Sequence, residues 1–304
     1  VPYDCIVCVK QVPDTTNITG DAMKEDGTVN RAALPAIFNP EDLNALEAAL
    51  EVKYRYGGTV TAISMGPPKA AEILRDCLYR GADRVILLTD RRAAASDTLA
   101  TSYILSQAIR TIGQYDIVLC GRQAIDGDTA QVGPQLAEKL GLPQITYMER
   151  FWGIDGGWLR GRRNTGRGWE DVEAKLPVLV TVLGHANIPR PPSARRMMRF
   201  KHARAEAELR AEIAQEHPGI SDSALEEELG RRKQKLAELG LLIDQWDLDK
   251  IGADLGRCGL AGSPTKVFRV QSIVLTKKGY TEIPPTPEGI RQLIHELVVD
   301  RTLG

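Results

Sequence analysis

No stretch of the 304-residue chain approaches the roughly 20 consecutive apolar residues that a membrane-spanning helix needs. Neither sign of charge is in excess: 39 Lys and Arg stand against 40 Asp and Glu, a net charge of −1. That balance gives no electrostatic pull toward nucleic acid or an anionic membrane surface. The opening residues Val1 to Val12 lack the basic head and long apolar stretch of a signal peptide, so a cytoplasmic location is expected. Cysteine is sparse and odd in number: Cys5, Cys8, Cys77, Cys120 and Cys258 read as buried free thiols of a reducing compartment. Cys5 and Cys8 have CxxC spacing, and zinc or iron–sulfur binding is the alternative to weigh. They sit in Cys5-Ile6-Val7-Cys8-Val9, which reads as a strand, and no second pair follows. Residues three apart on a strand face opposite sides, so core thiols are expected and no metal site. The chain also lacks a GxGxxG fingerprint, a P-loop, a nucleophile with its base, an acid–base pair and a cluster of metal ligands.

What is present is enough for a sizeable core: 43% of residues are apolar and 26% charged, the balance of an ordinary folded protein. The length suits one large domain with an appendage or two small ones. Short apolar runs alternate with helical periodicity over the first 185 residues. Strands are expected at Cys5–Val9, Val60–Met65, Val85–Leu88, Asp116–Cys120 and Pro177–Leu183. Helices are expected at Glu41–Arg55, with Leu43, Leu46, Leu50 and Tyr54 on one stripe, from Pro68 to Gly81, at Thr98–Ile112 and at Thr129–Leu140. Asn39 is placed to cap the first helix, with Pro40 at its first position and Glu41 and Asp42 at its positive end. Alternation of this kind implies βαβ units and a mostly parallel sheet with flanking helices. The glycine- and tryptophan-rich stretch Phe151–Asp171 reads as an antiparallel hairpin at the sheet edge. Ala203–Gly240 reads as a charged helical hairpin broken at Pro218-Gly219, either a solvated surface insertion or a docking element. The tail from Trp246 has few long elements before a helix near Pro287–Asp300. The expected division is an α/β domain over 1–200, the hairpin over 201–241 and a C-terminal arm over 242–304.

The strand Asp116–Cys120 runs into Gly121-Arg122-Gln123-Ala124-Ile125-Asp126-Gly127-Asp128-Thr129-Ala130-Gln131-Val132-Gly133. A strand, a loop and a helix start at the carboxyl edge of a parallel sheet form the usual seat of a ligand, and the free N–H groups of the helix favour a phosphate. Gly127 lets backbone approach the ligand, and Asp128 or Thr129 can cap the helix. The plain alternative is a capped βα turn with no ligand.

The segment GRQAIDGDT, Gly121 to Thr129, closely resembles the nucleotide-binding motif of electron transfer flavoprotein beta subunits. Val7-Cys8-Val9-Lys10-Gln11-Val12, Asn39-Pro40 and Gly81-Ala82-Asp83-Arg84 resemble three further elements of that family, in order, and the likeness covers about residues 3 to 200. The resemblance implies an adenine-nucleotide-hydrolase-like α/β fold and pairing with an alpha subunit that carries FAD. Carried over by position, it assigns nucleotide contacts to Cys8, to Asn39, Pro40, Glu41 and Asp42, to Met65, and to Gly121 through Val132. Within that last stretch Asp126, Gly127 and Thr129 are the phosphate and ribose candidates. Arg122 would bring positive charge near phosphates, unless it is simply a solvated arginine.

The family has two branches: carriers that keep AMP in this subunit, and bifurcating members that keep a second FAD there and use NADH. Ser96-Asp97-Thr98-Leu99-Ala100-Thr101-Ser102 resembles the bifurcating branch, as does Ile251-Gly252-Ala253-Asp254 with Gly262-Ser263-Pro264-Thr265. Thr98 and Thr101 are three apart on the face of Leu105, where small hydroxyls would leave room for a flavin ring. Alternatively, Thr98 only caps its helix. The implied partners are the alpha subunit, a flavin-dependent dehydrogenase such as an acyl-CoA dehydrogenase, and a low-potential acceptor such as ferredoxin. Pro189–Met198, the family's docking loop by position, lacks an aliphatic anchor at its tip. Three functions stay open: an FAD- and NADH-using bifurcating subunit, an AMP-holding carrier subunit, and a nucleotide-binding module without redox work.

Overall fold

The computed structural model of the chain describes residues 1–14, 34–265 and 282–299. Strands β1 (Cys5–Cys8), β4 (Val60–Met65), β5 (Arg84–Leu88), β6 (Ile117–Gly121) and β10 (Val178–Val182) form the parallel centre of a ten-stranded sheet. Every residue of β1, β6 and β10 is buried, as continuous apolar runs require when helices cover both faces. Helices α1 (Pro40–Tyr56) and α2 (Ala71–Arg80) cover one face and pack Leu46, Leu50, Leu74 and Cys77 on Cys5, Val7 and Leu119. Helices α3 (Thr98–Ile112) and α4 (Val132–Leu140) cover the other, with Ile104, Ile109 and Leu136 on Ile6, Cys8 and Val118. Each of these fully buried aliphatic side chains contributes about 1.5–3 kcal/mol. Cys5 and Cys8 fall in the two different cores, as strand alternation demands.

The chain steps outward from β1 through α1 to β4 and through α2 to β5. It then crosses the opposite face along α3 to β6, on the other side of β1. The connections therefore part in opposite directions where β1 and β6 end, and a crevice opens at their carboxyl edge. A small antiparallel pair, β2 (Gln11–Pro13) and β3 (Ala36–Phe38), lies between β1 and α1 in sequence.

Two stretches are more extensive than their composition suggests. The glycine-rich segment is a three-stranded antiparallel ribbon, β7 (Gln144–Asp155), β8 (Trp158–Asn164) and β9 (Trp169–Lys175), with β7 parallel to β10. After α5 (Ala194–Phe200), the charged hairpin α6 (Glu206–Glu216) and α7 (Asp222–Glu238) buries Leu209, Ile213 and Leu229 between its helices. It is spliced into the sheet rather than appended: β11 (Arg204–Ala205) and β12 (Leu242–Trp246) flank it, and β12 pairs parallel to β5. Glu208 on α6 takes two 2.8 Å bonds from Arg75 on α2. Tyr54, expected on the buried stripe of α1, is 85% exposed in the last turn.

The final helix α8 (Pro287–Val299) exposes Ile290, Leu293, Ile294 and Val298 along one side. Residues 266–281 and 300–304 of the expected arm lie outside the described residues. Among the described residues, no helix is long and apolar enough to cross a membrane.

Candidate functional site at the carboxyl edge of the sheet

A cavity of about 710 Å³ occupies the crevice. Its floor is apolar, with Cys8, Ile63, Leu88, Leu105 and Cys120. Cys8 and Cys120 are neighbours in the β1/β6 register. Burial, and then the nearby Asp42 carboxylate, push the Cys8 thiol up to about 12, and Cys120 is raised as well. Both are neutral thiols that behave as small apolar groups, not as thiolate ligands.

The wall formed by residues 121–133 is shaped from below by Asn39, Glu41 and Asp42. Asn39 holds the N-cap position of α1 but makes no capping bond. Its buried side chain instead donates to Gln123 O at 2.9 Å and accepts from Ile125 N–H at 3.1 Å. Pro40 opens the helix, where its missing N–H costs nothing. Glu41 accepts from Gln123 N–H at 3.0 Å and pairs with Arg122 at 3.2 Å. Asp42 accepts from Lys10 N–H at 2.9 Å and Gly121 N–H at 3.0 Å, and so ties together the ends of β1 and β6. Burial raises its carboxyl to about 7, against the pull of Asn39, the two N–H groups and Lys10. Gly121 is required by space: a Cβ there would lie 2.5 Å from the Asp42 carboxylate and 2.8 Å from backbone of Glu41.

The helix expected from Thr129 begins three residues later, at Val132, and neither Asp128 nor Thr129 caps it. Asp128 (φ +49°) and Ala130 (φ +52°) are left-handed, and the Asp128 carboxylate turns away to accept from Gln123 Nε2 at 2.8 Å. Ala130 is followed by right-handed Gln131, with no side chain capping α4. Backbone that alternates hand in this way aims successive N–H groups into one concavity, and an uncapped helix start beside it adds a positive dipole end. Backbone and helix end of this kind are suited to an anion.

The opposite wall runs from Asp90 to Thr101. Ala93, Ala94, Ala95 and Ser96 keep it low. Asp97, not Thr98, caps α3, accepting from Ala100 N–H at 3.0 Å. Thr98 instead donates to Gln131 Oε1 at 2.8 Å and so links the two walls. Across the mouth, Lys10 Nζ meets the Asp126 carboxylate at 2.8 Å.

Of the residues singled out from sequence, Cys8, Asp42, Met65, Thr98 and Thr101 line the cavity, as do residues 121–124, 126, 127 and 129–132. Asn39, Pro40, Glu41, Ile125 and Asp128 are not part of this lining, and of them Asn39 and Glu41 shape it through their bonds to residues 123 and 125. Sequence reasoning missed Lys10 and the Asp90–Ala95 wall. Lys10 is the first charged residue after the apolar run of β1, at the edge where ligands gather, and that was a readable signal.

Residues 26–209 match the electron transfer flavoprotein domain. The electron transfer flavoprotein subunit beta of Clostridium acetobutylicum is 39% identical over 292 residues, 96% of this chain and 96% of the relative. That of Megasphaera elsdenii is 41% identical over 274 residues, 88% and 86% respectively. The caffeyl-CoA reductase-Etf complex subunit CarD of Acetobacterium woodii is 40% identical over 265 residues, 87% and 86%. The domain match takes in most of the sheet and both the 90–101 and 121–133 walls of the cavity, though not β1 or β12, and the likenesses that run nearly full length are to beta subunits, so the chain belongs to the electron transfer flavoprotein family, on its beta-subunit side.

Proposed function

We propose that the chain is the beta subunit of a heterodimeric electron transfer flavoprotein of the bifurcating kind. In this reading it holds FAD in the cavity and takes electrons from NADH. They pass to a low-potential acceptor such as ferredoxin and to a partner flavin dehydrogenase, here with the alpha subunit as obligate companion. The observation that carries the reading is the continuity of the cavity. An anion cradle at Ala130–Gly133 suits a phosphate, and the same space continues over an apolar floor to the low wall of Ala93–Thr101. In this reading a flat ring would lie between that floor and the small side chains of the low wall, with Thr101 also lining the space.

FAD, when bound, supplies the redox chemistry, which fits a chain whose sequence offers no acid–base pair or nucleophile with its base. The protein's part is to bind and orient: the α4 start and the left-handed loop take phosphate, and Asn39, Glu41 and Asp42 keep that loop in place. The start of α3 is already capped by the Asp97 carboxylate, so its part is to set Thr98 and Thr101 beside the ring rather than to supply positive charge. AMP held as a structural nucleotide is the second reading, supported by the same cradle, since a single phosphate would satisfy it. Anaerobic NADH titration of the purified complex, followed by flavin absorbance without added dehydrogenase, separates the two. Stoichiometric bleaching is the expected result; a spectrum unmoved by excess NADH rejects the bifurcating reading.

A further inference from the structure

Residues 247–265, which follow β12, return to the low wall of the cavity and bind it through a set of backbone and side-chain hydrogen bonds. Leu248 N–H donates to the Asp90 carboxylate at 3.2 Å, and Gly259 N–H to Ser96 Oγ at 3.1 Å. Ser263, 3% exposed, accepts from Asp97 N–H at 2.8 Å and donates to Gly259 O at 2.6 Å. The two Asp97 oxygens are divided: one accepts from Ala100 N–H at the start of α3, the other from Thr265 N–H, each at 3.0 Å. The contact is close enough to demand glycine, since a Cβ on Gly259 would lie 2.2 Å from Arg92 O. Between these anchors the wall contains left-handed Ala95, at φ +60°, a conformation that a non-glycine residue keeps only when its surroundings impose it. The stem of the phosphate loop, Gly121–Ile125, is held by a different set of residues, Asn39, Glu41 and Asp42, and the low wall reaches the loop through the Thr98–Gln131 side-chain bond.

We propose that Ser263 and Asp97 form a clasp by which the C-terminal segment positions the start of α3. The clasp governs the grip of the cavity on the part of a dinucleotide that extends beyond the phosphate loop far more than the phosphate grip, which the low wall reaches through the Thr98–Gln131 side-chain bond. The ligand half of this statement rests on the dinucleotide reading given above. Ser263 is a positioning residue outside the cavity lining: it acts through Asp97, Thr98 and Thr101, which line the cavity. The α3 N-cap is shared with a segment that comes from more than 160 positions later in the chain, so the site is complete only when that segment is seated.

The test uses the native complex with its alpha subunit and the variants Ser263→Ala, Ser263→Thr and Asp97→Asn. Ser263→Ala removes the acceptor of the Asp97 N–H. Asp97→Asn keeps an acceptor for Ala100 but sets an amide NH2 against Thr265 N–H. FAD and AMP affinities are measured at the beta site, with hydrogen exchange of the complex alongside. Ser263→Ala and Asp97→Asn should each weaken FAD roughly tenfold, the loss of about one net hydrogen bond, while AMP stays within about twofold. Ser263→Thr, which keeps the hydroxyl, should restore FAD binding. With AMP bound, exchange should quicken at Ala100 and Thr101 but not at Arg122–Ile125. FAD and AMP weakened equally, or exchange unchanged at Ala100 and Thr101, would overturn the clasp. A wild-type complex that takes AMP but no FAD overturns the dinucleotide reading and the ligand half of the proposal, while the exchange result still decides the clasp.

Discussion

Two glycines of the segment GRQAIDGDT should respond in opposite ways to the same added methyl. In Gly121→Ala the new Cβ meets Asp42 Oδ1 at 2.5 Å, Glu41 C at 2.8 Å and Asp42 N at 2.9 Å. Two of these are backbone atoms of the first turn of α1, so the strain cannot be relieved by one flexible side chain. Overpacking of this kind costs about 1–3 kcal/mol. If Asp42 swings away it also gives up its 3.0 Å bond from Gly121 N–H, a further ~1–3 kcal/mol for a buried N–H left unsatisfied. The sum, about 2–6 kcal/mol, is a large part of a typical folding stability. Gly127→Ala meets nothing within 4 Å, and its φ is not in the left-handed region. It should leave stability unchanged or raise it by ~0.4–1 kcal/mol through the unfolded chain. Thermal unfolding of the two variant complexes, with nucleotide content measured on each, makes the comparison. The expected outcome is a lowered Tm and lost nucleotide for Gly121→Ala, and an unmoved Tm for Gly127→Ala, with any loss of nucleotide there reporting contact with the ligand itself. Equal, small effects at both positions would refute the packing argument.

Asp42→Asn should change how stability depends on pH. Burial raises the Asp42 carboxyl from 3.8 to about 7, so between those values the folded protein keeps a proton that the unfolded chain has released. Stability therefore falls as pH rises through that window, by on the order of 4 kcal/mol in the limit. Asn cannot ionise, so the unfolding free energy of wild type relative to Asp42→Asn should decline from pH 4 to pH 8 in denaturation experiments. A difference flat with pH would contradict it. Thr101→Phe should expel the flavin of this subunit by overlap with the low wall while the alpha-subunit flavin stays, measured as flavin per heterodimer. Full retention of both would remove Thr101 from the site.

Much of the fold is legible in the residues because burial on both faces writes itself as unbroken apolar runs. Cys5–Cys8, Ile117–Gly121 and Val178–Val182 are such runs, and Thr98–Ile112 has both its boundaries marked, by Asp97 and Gly113. The start of α4 is misread because Asp128 and Thr129 look like caps. Pro134 was the contrary signal: in a helix from Thr129 it would fall past the first turn, with no N–H to give Ala130. The role of Asn39 is hidden because its partners, Gln123 and Ile125, lie more than 80 positions away. The tie between the charged hairpin and the sheet is hidden for another reason. β11 is two residues long and Leu242-Ile243-Asp244-Gln245-Trp246 mixes polar and apolar side chains, as an outlying strand does.

The most direct measurement of the central claim is the count of nucleotides released by acid from the native heterodimer, prepared without added cofactor. A cavity that holds a dinucleotide in this subunit predicts two FAD per heterodimer, one from each subunit, and no AMP. One FAD with one AMP would contradict it.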